Sequence, residues 1–452
     1  MNRRYWIETW GCQMNEHDSE KLSGTLEGLG WQPAPGPFDA DLVLLNTCAI
    51  REKAEEKVYQ FLARLRPARQ AHPEMIVGVV GCVAQMSGGD VREREPIVDL
   101  VLGPRAATRL PEALAEATRR RGVVDTTLYQ DGLFGLGRTV RRDPGRVKAW
   151  VTVMEGCSKS CAYCIVPATR GREVYRPLDE ILAECRALVD EGYREIELLG
   201  QNVNAWRDRD AGAWFGDLLR RVGALAGLRR LRFTTSHPAQ FSDPIIAAMA
   251  ETPTVCRALH LPVQSGSSRI LAAMRRGYDR ERYLDRVRRL REAMPEIALS
   301  TDVIVGYPGE TEEDFRATLS LVEEVGFDQM FSFVFSPRPG TAAAMLPDPV
   351  PAERKSERLS ELQALQRRIQ LERNRARIGR VETVLVEKPS RRDPGEWAGR
   401  TDGNQVVNFA ADGVRPGDEI ALRIVDAGPN SLRGEPLADS ARHTPEAAGA
   451  AS

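Results

Sequence analysis

The sequence lacks what a membrane or secreted protein needs. No run of eighteen apolar residues occurs in it, so no membrane-spanning helix is expected. The opening Met1-Asn2-Arg3-Arg4-Tyr5-Trp6-Ile7-Glu8 has none of the apolar stretch of a signal peptide. A cytoplasmic protein with no membrane partner is therefore expected. Net charge is also nearly absent, −1 over 452 residues. No whole-molecule field draws a polyanion, so any contact with nucleic acid must come from local patches. Low-complexity tracts of consequence are missing too. The remainder is ordinary for a globular chain, 42% hydrophobic and 28% charged, and the length suggests about three domains. The notable abundance is 8 cysteines, which in a reducing compartment point to metal binding or catalysis rather than disulfides.

Residues 1–137 repeat one local pattern three times. Apolar runs of strand type lead into Gly11-Cys12, into Asn46-Thr47-Cys48 and into Gly81-Cys82, and each cysteine is followed by a polar, helix-compatible stretch. This alternation predicts a parallel α/β domain, with the turns after its strands gathered on one edge where ligands bind. A basic linker follows at Arg138 to Lys148. Strands are then expected near 149–155, 195–199, 230–235, 258–263, 298–305 and 330–335, with helices between them. Six βα units in that span suggest a barrel or partial barrel, in a domain covering 138–376. Thr311-Glu312-Glu313-Asp314 reads as a helix start. A helix of mixed charge is expected from about Ala352 to Ile378. Turn signals such as Asp402-Gly403-Asn404 then mark a small all-β module, 377–438, and the tail 439–452 is small and polar enough to be disordered.

The strongest chemical signal is Cys157-x-x-x-Cys161-x-x-Cys164, directly after the first strand of the second domain. Three thiolates this close can hold three corners of an iron–sulfur cubane. No fourth cysteine follows nearby, which leaves one iron open for a chelating substrate. Structural zinc is the competing reading, but zinc wants four ligands, and His237 and His260 are far along the chain. Cys12, Cys48 and Cys82 are too widely spaced for a loop motif, yet each sits where a strand gives way to a helix. Spacing alone leaves two readings open, a second cluster at that edge or three buried core cysteines. Cys185 and Cys256 read as core filler.

Several stretches resemble the radical S-adenosylmethionine (SAM) methylthiotransferases. They are Gly11-Cys12-Gln13-Met14-Asn15-Glu16-His17-Asp18-Ser19-Glu20, Asn46-Thr47-Cys48-Ala49-Ile50-Arg51-Glu52-Lys53-Ala54, Gly81-Cys82-Val83-Ala84-Gln85, and Gly156-Cys157 through Cys164-Ile165-Val166-Pro167. Further along come Gly200-Gln201-Asn202-Val203-Asn204, Ser236-His237-Pro238, His260-Leu261-Pro262-Val263-Gln264-Ser265-Gly266-Ser267, Asp302 through Thr311, and Phe333 through Thr341. The resemblance covers nearly the whole chain. It is greatest to the bacterial branch acting on N6-dimethylallyladenosine in transfer RNA. One departure is Ala168, where the family usually has an aromatic residue, which puts a packing contact near the cluster in question.

The resemblance implies an N-terminal parallel α/β methylthiotransferase domain, a partial (β/α)6 radical SAM barrel and a small all-β TRAM barrel that binds RNA. It implies two [4Fe–4S] clusters, one on Cys157, Cys161 and Cys164 that chelates SAM, and an auxiliary one on Cys12, Cys48 and Cys82 that delivers sulfur. Catalysis would need no protein group beyond these ligands. Cleaved SAM would supply a radical that takes hydrogen from C2 of the adenine, and a second SAM would supply the methyl group. The implied enzyme is a sulfur-group transferase converting N6-dimethylallyladenosine at position 37, next to the anticodon, to its 2-methylthio derivative. Its partners would be the tRNA anticodon stem-loop, an electron donor such as a flavodoxin or ferredoxin, and a sulfur donor, with the enzyme itself a monomer. By position and resemblance, Gly200, Gln201, Asn202, Ser236, Gln264 and Asp302 are candidate SAM contacts, although Asn, Asp and Ser at such places also serve turns and caps. Related enzymes that modify threonylcarbamoyl-adenosine or a ribosomal-protein aspartate are the nearest alternatives. A two-cluster electron carrier and an RNA-binding protein with structural clusters are more remote. Nine Lys/Arg against three Glu between Arg354 and Arg380 suggest a stripe that tracks phosphates, or simply a solvated helix face.

Overall fold

The computed structural model describes residues 3–48, 52–130, 145–390 and 395–437, together with 134, 140 and 393. The 137/138 boundary, most of the basic linker and the tail 439–452 lie outside the described residues. Among the described residues no helix is long and apolar enough to cross a membrane.

The N-terminal sheet has six strands, in the order Gln32–Pro33, Arg4–Trp10, Leu42–Thr47, Ile76–Gly81, Leu100–Leu102 and Val123–Asp125. All neighbours are parallel. Leu42–Thr47 and Ile76–Gly81 are buried throughout, which explains their continuous apolar runs: helices cover both faces of a parallel sheet. In-register pairs Trp10–Thr47 and Thr47–Gly81 bring three strand ends level.

Six parallel strands form the central domain: Lys148–Thr152, Glu195–Leu199, Arg230–Phe233, Ala258–His260, Ala298–Val305 and Gln329–Val334. They match the expected positions within a few residues. A parallel bridge between Leu231 and Val255 joins the two three-stranded groups. Among the described residues the first and last strands are not paired with each other, which leaves the barrel open along one seam. Ala149, Val151, Ile196, Leu198 and Leu231 pack outward in the helix-facing core. The alternate residues Trp150, Glu195, Glu197, Arg230 and Arg232 are also buried, on the lumen side. The first half of the lumen is thus filled by a charged ladder, with Lys148 Nζ and Trp150 Nε1 donating to Glu197 at 2.9 and 3.1 Å and Arg232 Nε 3.1 Å from Glu195. Thr311 caps the helix Glu312–Val325 reciprocally with Asp314, as its sequence suggested.

The helix Ala352–Arg375 covers the last barrel strand and leads to a closed five-stranded barrel of Val381–Pro389, Trp397–Thr401, Val406–Phe409, Glu419–Ala427 and Leu432–Pro436. Two lumen arginines hold this barrel. Arg230 donates to the carbonyls of Arg400 and Thr383 at 2.6 and 3.0 Å, and Arg232 to those of Asp402 and Thr401, both at 2.9 Å.

The phosphate-stripe expectation for the long helix is corrected. Seven of the nine cations have acidic partners: Arg354 with Glu312, Lys355 with Asp348, Arg358 with Glu310, Arg368 with Glu323, Arg373 with Asp328, Arg377 with Glu382 and Arg380 with Glu296. Most of these acids come from other elements. They neutralise the stripe and leave little free charge for phosphate.

Candidate active site and cofactor ligands

At the N-terminal edge, Cys12 caps the helix Gln13–Gly28, Cys48 directly follows Leu42–Thr47, and Cys82 opens the helix Cys82–Ser87. Cys48 N donates to Trp10 O at 2.9 Å. The three cysteines therefore end three adjacent strands, as their repeated placement suggested. A buried amide lattice supports them. Asn46 Nδ2 donates to Asn15 O and Ser19 Oγ at 2.8 and 2.9 Å, Asn15 Nδ2 donates to Asn46 Oδ1 at 3.2 Å, and the Cys12 thiol lies 3.4 Å from Asn15 Oδ1. Gly81, at φ +90°, is required here, because a Cβ would stand 2.4 Å from Asn46 Oδ1. The Cys12 thiol is held down at about 6, chiefly by its hydrogen bond with Cys48 and further by the charge of Arg170, against the cost of burial. Burial pushes the Cys82 thiol up, and Arg170 opposes it.

The second set occupies the loop after the first barrel strand. Cys157 N donates to Gly171 O at 3.1 Å, and Cys164 N to Cys161 O at 3.1 Å. Burial pushes the Cys157 thiol up to about 11 and the Cys164 thiol up to about 12. Such thiols ionise only where positive charge replaces lost water, and a bound iron would supply it. Three thiols in each set would offer three sulfur donors to a cluster with one open corner, and that donor chemistry fits an iron–sulfur group.

Two partners of Cys161 escaped the sequence reading. Arg276 Nη1 lies 3.4 Å from its sulfur and 3.3 Å from Tyr163 OH, and His237 Nε2 lies 4.0 Å from the same sulfur. Burial, with Arg276 and Lys159 nearby, drives the His237 pKa down to about 2, so its imidazole is neutral. These residues are 115 and 76 positions from Cys161; His237 lies in the quoted stretch Ser236-His237-Pro238, but nothing local ties either residue to that cysteine.

Five of the six candidate SAM contacts fall at or just beyond strand ends, but Asp302 sits in the middle of Ala298–Val305, a correction to its expected place. Gln201 Oε1 accepts from Gly156 N, while its Nε2 is buried without a partner. Asn202 Nδ2 donates to Gln240 and Glu173 at 2.7 and 2.9 Å, and its Oδ1 is likewise orphaned. Ser236 Oγ is a third buried orphan. Buried polar atoms are normally paired, and three orphans at neighbouring strand ends fit a site that takes a polar ligand. Gln264 has φ +75°, and Thr235, beside Ser236, has φ +69°. Positive φ at a β-branched residue is strained, and such strain gathers at functional sites. Asp302 is engaged by His260, whose Nε2 lies 3.3 Å from its Oδ2. Gly200 has a packing role of its own, since a Cβ there would stand 2.5 Å from Met154 Cγ. Ala168 is exposed on the helix Val166–Arg170, so an aromatic residue is not needed there to fill the core.

The first cysteine set lies at the domain interface, against the segment Arg170–Gly171 that also touches the second. Met14 packs with Trp150 and Leu199 of the barrel, with Cys12 alongside. Arg170 Nη2 donates to Asp18 Oδ2 at 2.6 Å, Lys21 Nζ to Thr152 Oγ1 at 3.2 Å, and Arg105 Nη2 to Arg172 O at 2.7 Å. Arg170 therefore reaches the first cysteine set, while Gly171 beside it holds the backbone of Cys157.

Comparison with known proteins identifies the family. Residues 4–103 match Uncharacterized protein family UPF0004, 151–322 the Radical SAM superfamily and 375–437 the TRAM domain. The chain is 48% identical over 440 residues to tRNA-2-methylthio-N(6)-dimethylallyladenosine synthase of Ectopseudomonas mendocina, covering 96% of this chain and 98% of the relative. It is 47% identical over 439 residues to the Methylococcus capsulatus protein of the same name, covering 96% and 95%. Among solved structures, the radical S-adenosylmethionine methyltransferase TsrM of Kitasatospora setae, with cobalamin and a [4Fe–4S] cluster bound, superposes with TM-score 0.56 and 17% identity, over 76% of this chain and 77% of that one. That likeness shows the fold. The identity and near-complete coverage with the first two relatives go further: the chain belongs to the family of tRNA-2-methylthio-N(6)-dimethylallyladenosine synthases.

Proposed function

We propose that this enzyme is a radical SAM methylthiotransferase that converts N6-dimethylallyladenosine at position 37 of tRNA to its 2-methylthio derivative. The observation that carries the reading is the segment Arg170–Gly171, whose arginine bears on Cys12 and Cys82 while its glycine carbonyl accepts from Cys157 N. Cys157, Cys161 and Cys164 would hold a SAM-binding [4Fe–4S] cluster, and Cys12, Cys48 and Cys82 an auxiliary one. When bound, these groups supply the radical that activates C2 of the adenine and the sulfur that replaces its hydrogen.

The chain's own residues bind, orient and exclude water. Gln201 Nε2, Asn202 Oδ1 and Ser236 Oγ are free to bind the polar parts of SAM. Arg276, buried and bonded to Tyr278 OH and Pro262 O at 3.0 and 3.1 Å, keeps a fixed positive charge against Cys161. Trp150, Glu197 and Arg232 fill half of the lumen and keep bulk water from it. The TRAM domain is the natural RNA-binding module, and the anticodon stem-loop offers a single-stranded base that can leave its stack. An electron donor such as a flavodoxin or ferredoxin and a sulfur donor complete the reaction, and the enzyme works as a monomer in the cytoplasm.

The test is nucleoside mass spectrometry after anaerobic reaction of reconstituted enzyme with SAM, a reductant, sulfide and tRNA carrying N6-dimethylallyladenosine. A nucleoside heavier by one methylthio group, absent with Cys157→Ala, supports the reading. Release of 5′-deoxyadenosine without that product would overturn the substrate assignment.

A further inference from the structure

The last barrel strand leaves two phenylalanines in solvent. Exposure along Gln329–Val334 alternates with period two. Met330 and Val334 pack on the barrel core, and Ser332 Oγ accepts from Gln363 Nε2 of the long helix at 3.3 Å. Those three side chains face the helices. Phe331 and Phe333 face the lumen, where they remain 43% and 40% exposed. Their in-register neighbours are Asp302 and Ile304, both only partly buried. His260 stands edge-on to Phe331, with ring centroids 6.1 Å apart, and its Nδ1 lies 2.9 Å from Ser300 Oγ. Single exposed apolar residues are ordinary. Two adjacent rings inside a lumen, continuous with Asp302 and on the open seam, mark a binding surface.

We propose that Phe331, Phe333 and Ile304 seat the substrate adenine and its dimethylallyl group, with the His260–Asp302 pair along the polar edge of the base. The proposal rests on the reading that the substrate is N6-dimethylallyladenosine. Every base has a π-face that stacks on an aromatic side chain, and a branched hydrocarbon on N6 needs an apolar wall. The first half of the lumen is occupied by Trp150, Glu197 and Arg232, so the second half is where an unstacked base finds room. This wall is also a specificity device, because added hydrocarbon in an apolar pocket is worth a factor of roughly 10 to 200.

The test uses the reconstituted full-length enzyme and two anticodon stem-loops, one with N6-dimethylallyladenosine and one with adenosine at the same place. Binding is read by fluorescence anisotropy and SAM cleavage by 5′-deoxyadenosine release. The wild type is expected to prefer the dimethylallyl stem-loop by about 10-fold or more. Phe331→Ala and Phe333→Ala should each weaken its binding about 10-fold and erase most of the preference. Phe331→Leu and Phe333→Leu, which keep apolar bulk, should retain part of the preference, and Phe38→Ala, at an exposed ring on the N-terminal domain, should change nothing. If the wild type prefers the dimethylallyl stem-loop and folded Phe331→Ala and Phe333→Ala keep that preference, the seat is overturned while the substrate reading stands. If the wild type has no preference, both fall.

Discussion

Replacing Arg232 by methionine should loosen the C-terminal barrel from the core. Arg232 is buried and links three groups: Glu195, only 1% exposed, and the carbonyls of Thr401 and Asp402. Methionine keeps the apolar stem but leaves the Glu195 carboxylate short of charge. Removing one partner of a buried pair costs about 3–5 kcal/mol. Lys148 and Arg230 also bear on Glu195, which places the expected loss near the lower end, about 3 kcal/mol. Glu195→Gln should be costly in turn, because it strands Arg232. The double variant should cost less than the sum of the singles by on the order of 2 kcal/mol, since the stranded charge is gone. Urea unfolding followed by tryptophan fluorescence measures these losses, and limited proteolysis reports whether residues from about 381 onward are released. If Arg232→Met unfolds within about 0.5 kcal/mol of the wild type and its C-terminal barrel resists protease equally, the docking argument is wrong.

Iron content separates the cysteine sets. Cys157→Ala and Cys12→Ala should each lower iron from about eight to about four atoms per chain, and a full complement in Cys12→Ala would remove the auxiliary site. Gly156→Ala should cost on the order of 3 kcal/mol, because φ is +81° and a Cβ would stand 2.2 Å from Arg172 O. Thermal unfolding and loss of one cluster would show it; an unchanged melting curve would contradict it. Asp314 is held well below the usual carboxylate range: burial works the other way, but hydrogen bonds from Arg269, Ser267 and Thr311 outweigh it. As pH falls the unfolded chain takes up the proton first, so this stabilisation is present above about pH 4 and is lost as pH drops through the folded value. Asp314→Asn should therefore cost about 2 kcal/mol at neutral pH, with the gap from wild type closing in acid. A gap independent of pH in denaturant titrations would refute the assignment.

Local pattern carried much of this molecule. Continuous apolar runs marked the strands of the parallel sheet, and the position of Cys12, Cys48 and Cys82 just past three of them was enough to place them on one edge. Other features depended on residues far apart in the chain. Glu195-Ile196-Glu197 and Arg230-Leu231-Arg232 read locally as half-solvated strands, yet their charged faces neutralise each other inside the barrel. The long helix looked basic because its counter-charges, Glu296, Glu310, Glu323 and Asp328, belong to other elements. The strain at Thr235 and Gln264 is a backbone property that no residue type announces, least of all threonine.

The anchoring of the C-terminal barrel has a consequence for the order of synthesis. Arg230 and Arg232 leave the ribosome 153 to 170 residues before the carbonyls that receive them. At ordinary elongation rates that is roughly ten to thirty seconds. Throughout that interval water must solvate two guanidinium groups at the base of a nascent barrel, and it still does so after Gln329–Val334 has completed the strands. The last domain translated is thus the stopper that dries the first half of the lumen. A chain cut before residue 383 would be an unsealed vessel rather than a smaller enzyme, and grafting a foreign RNA-binding module in its place would need those four carbonyls rebuilt.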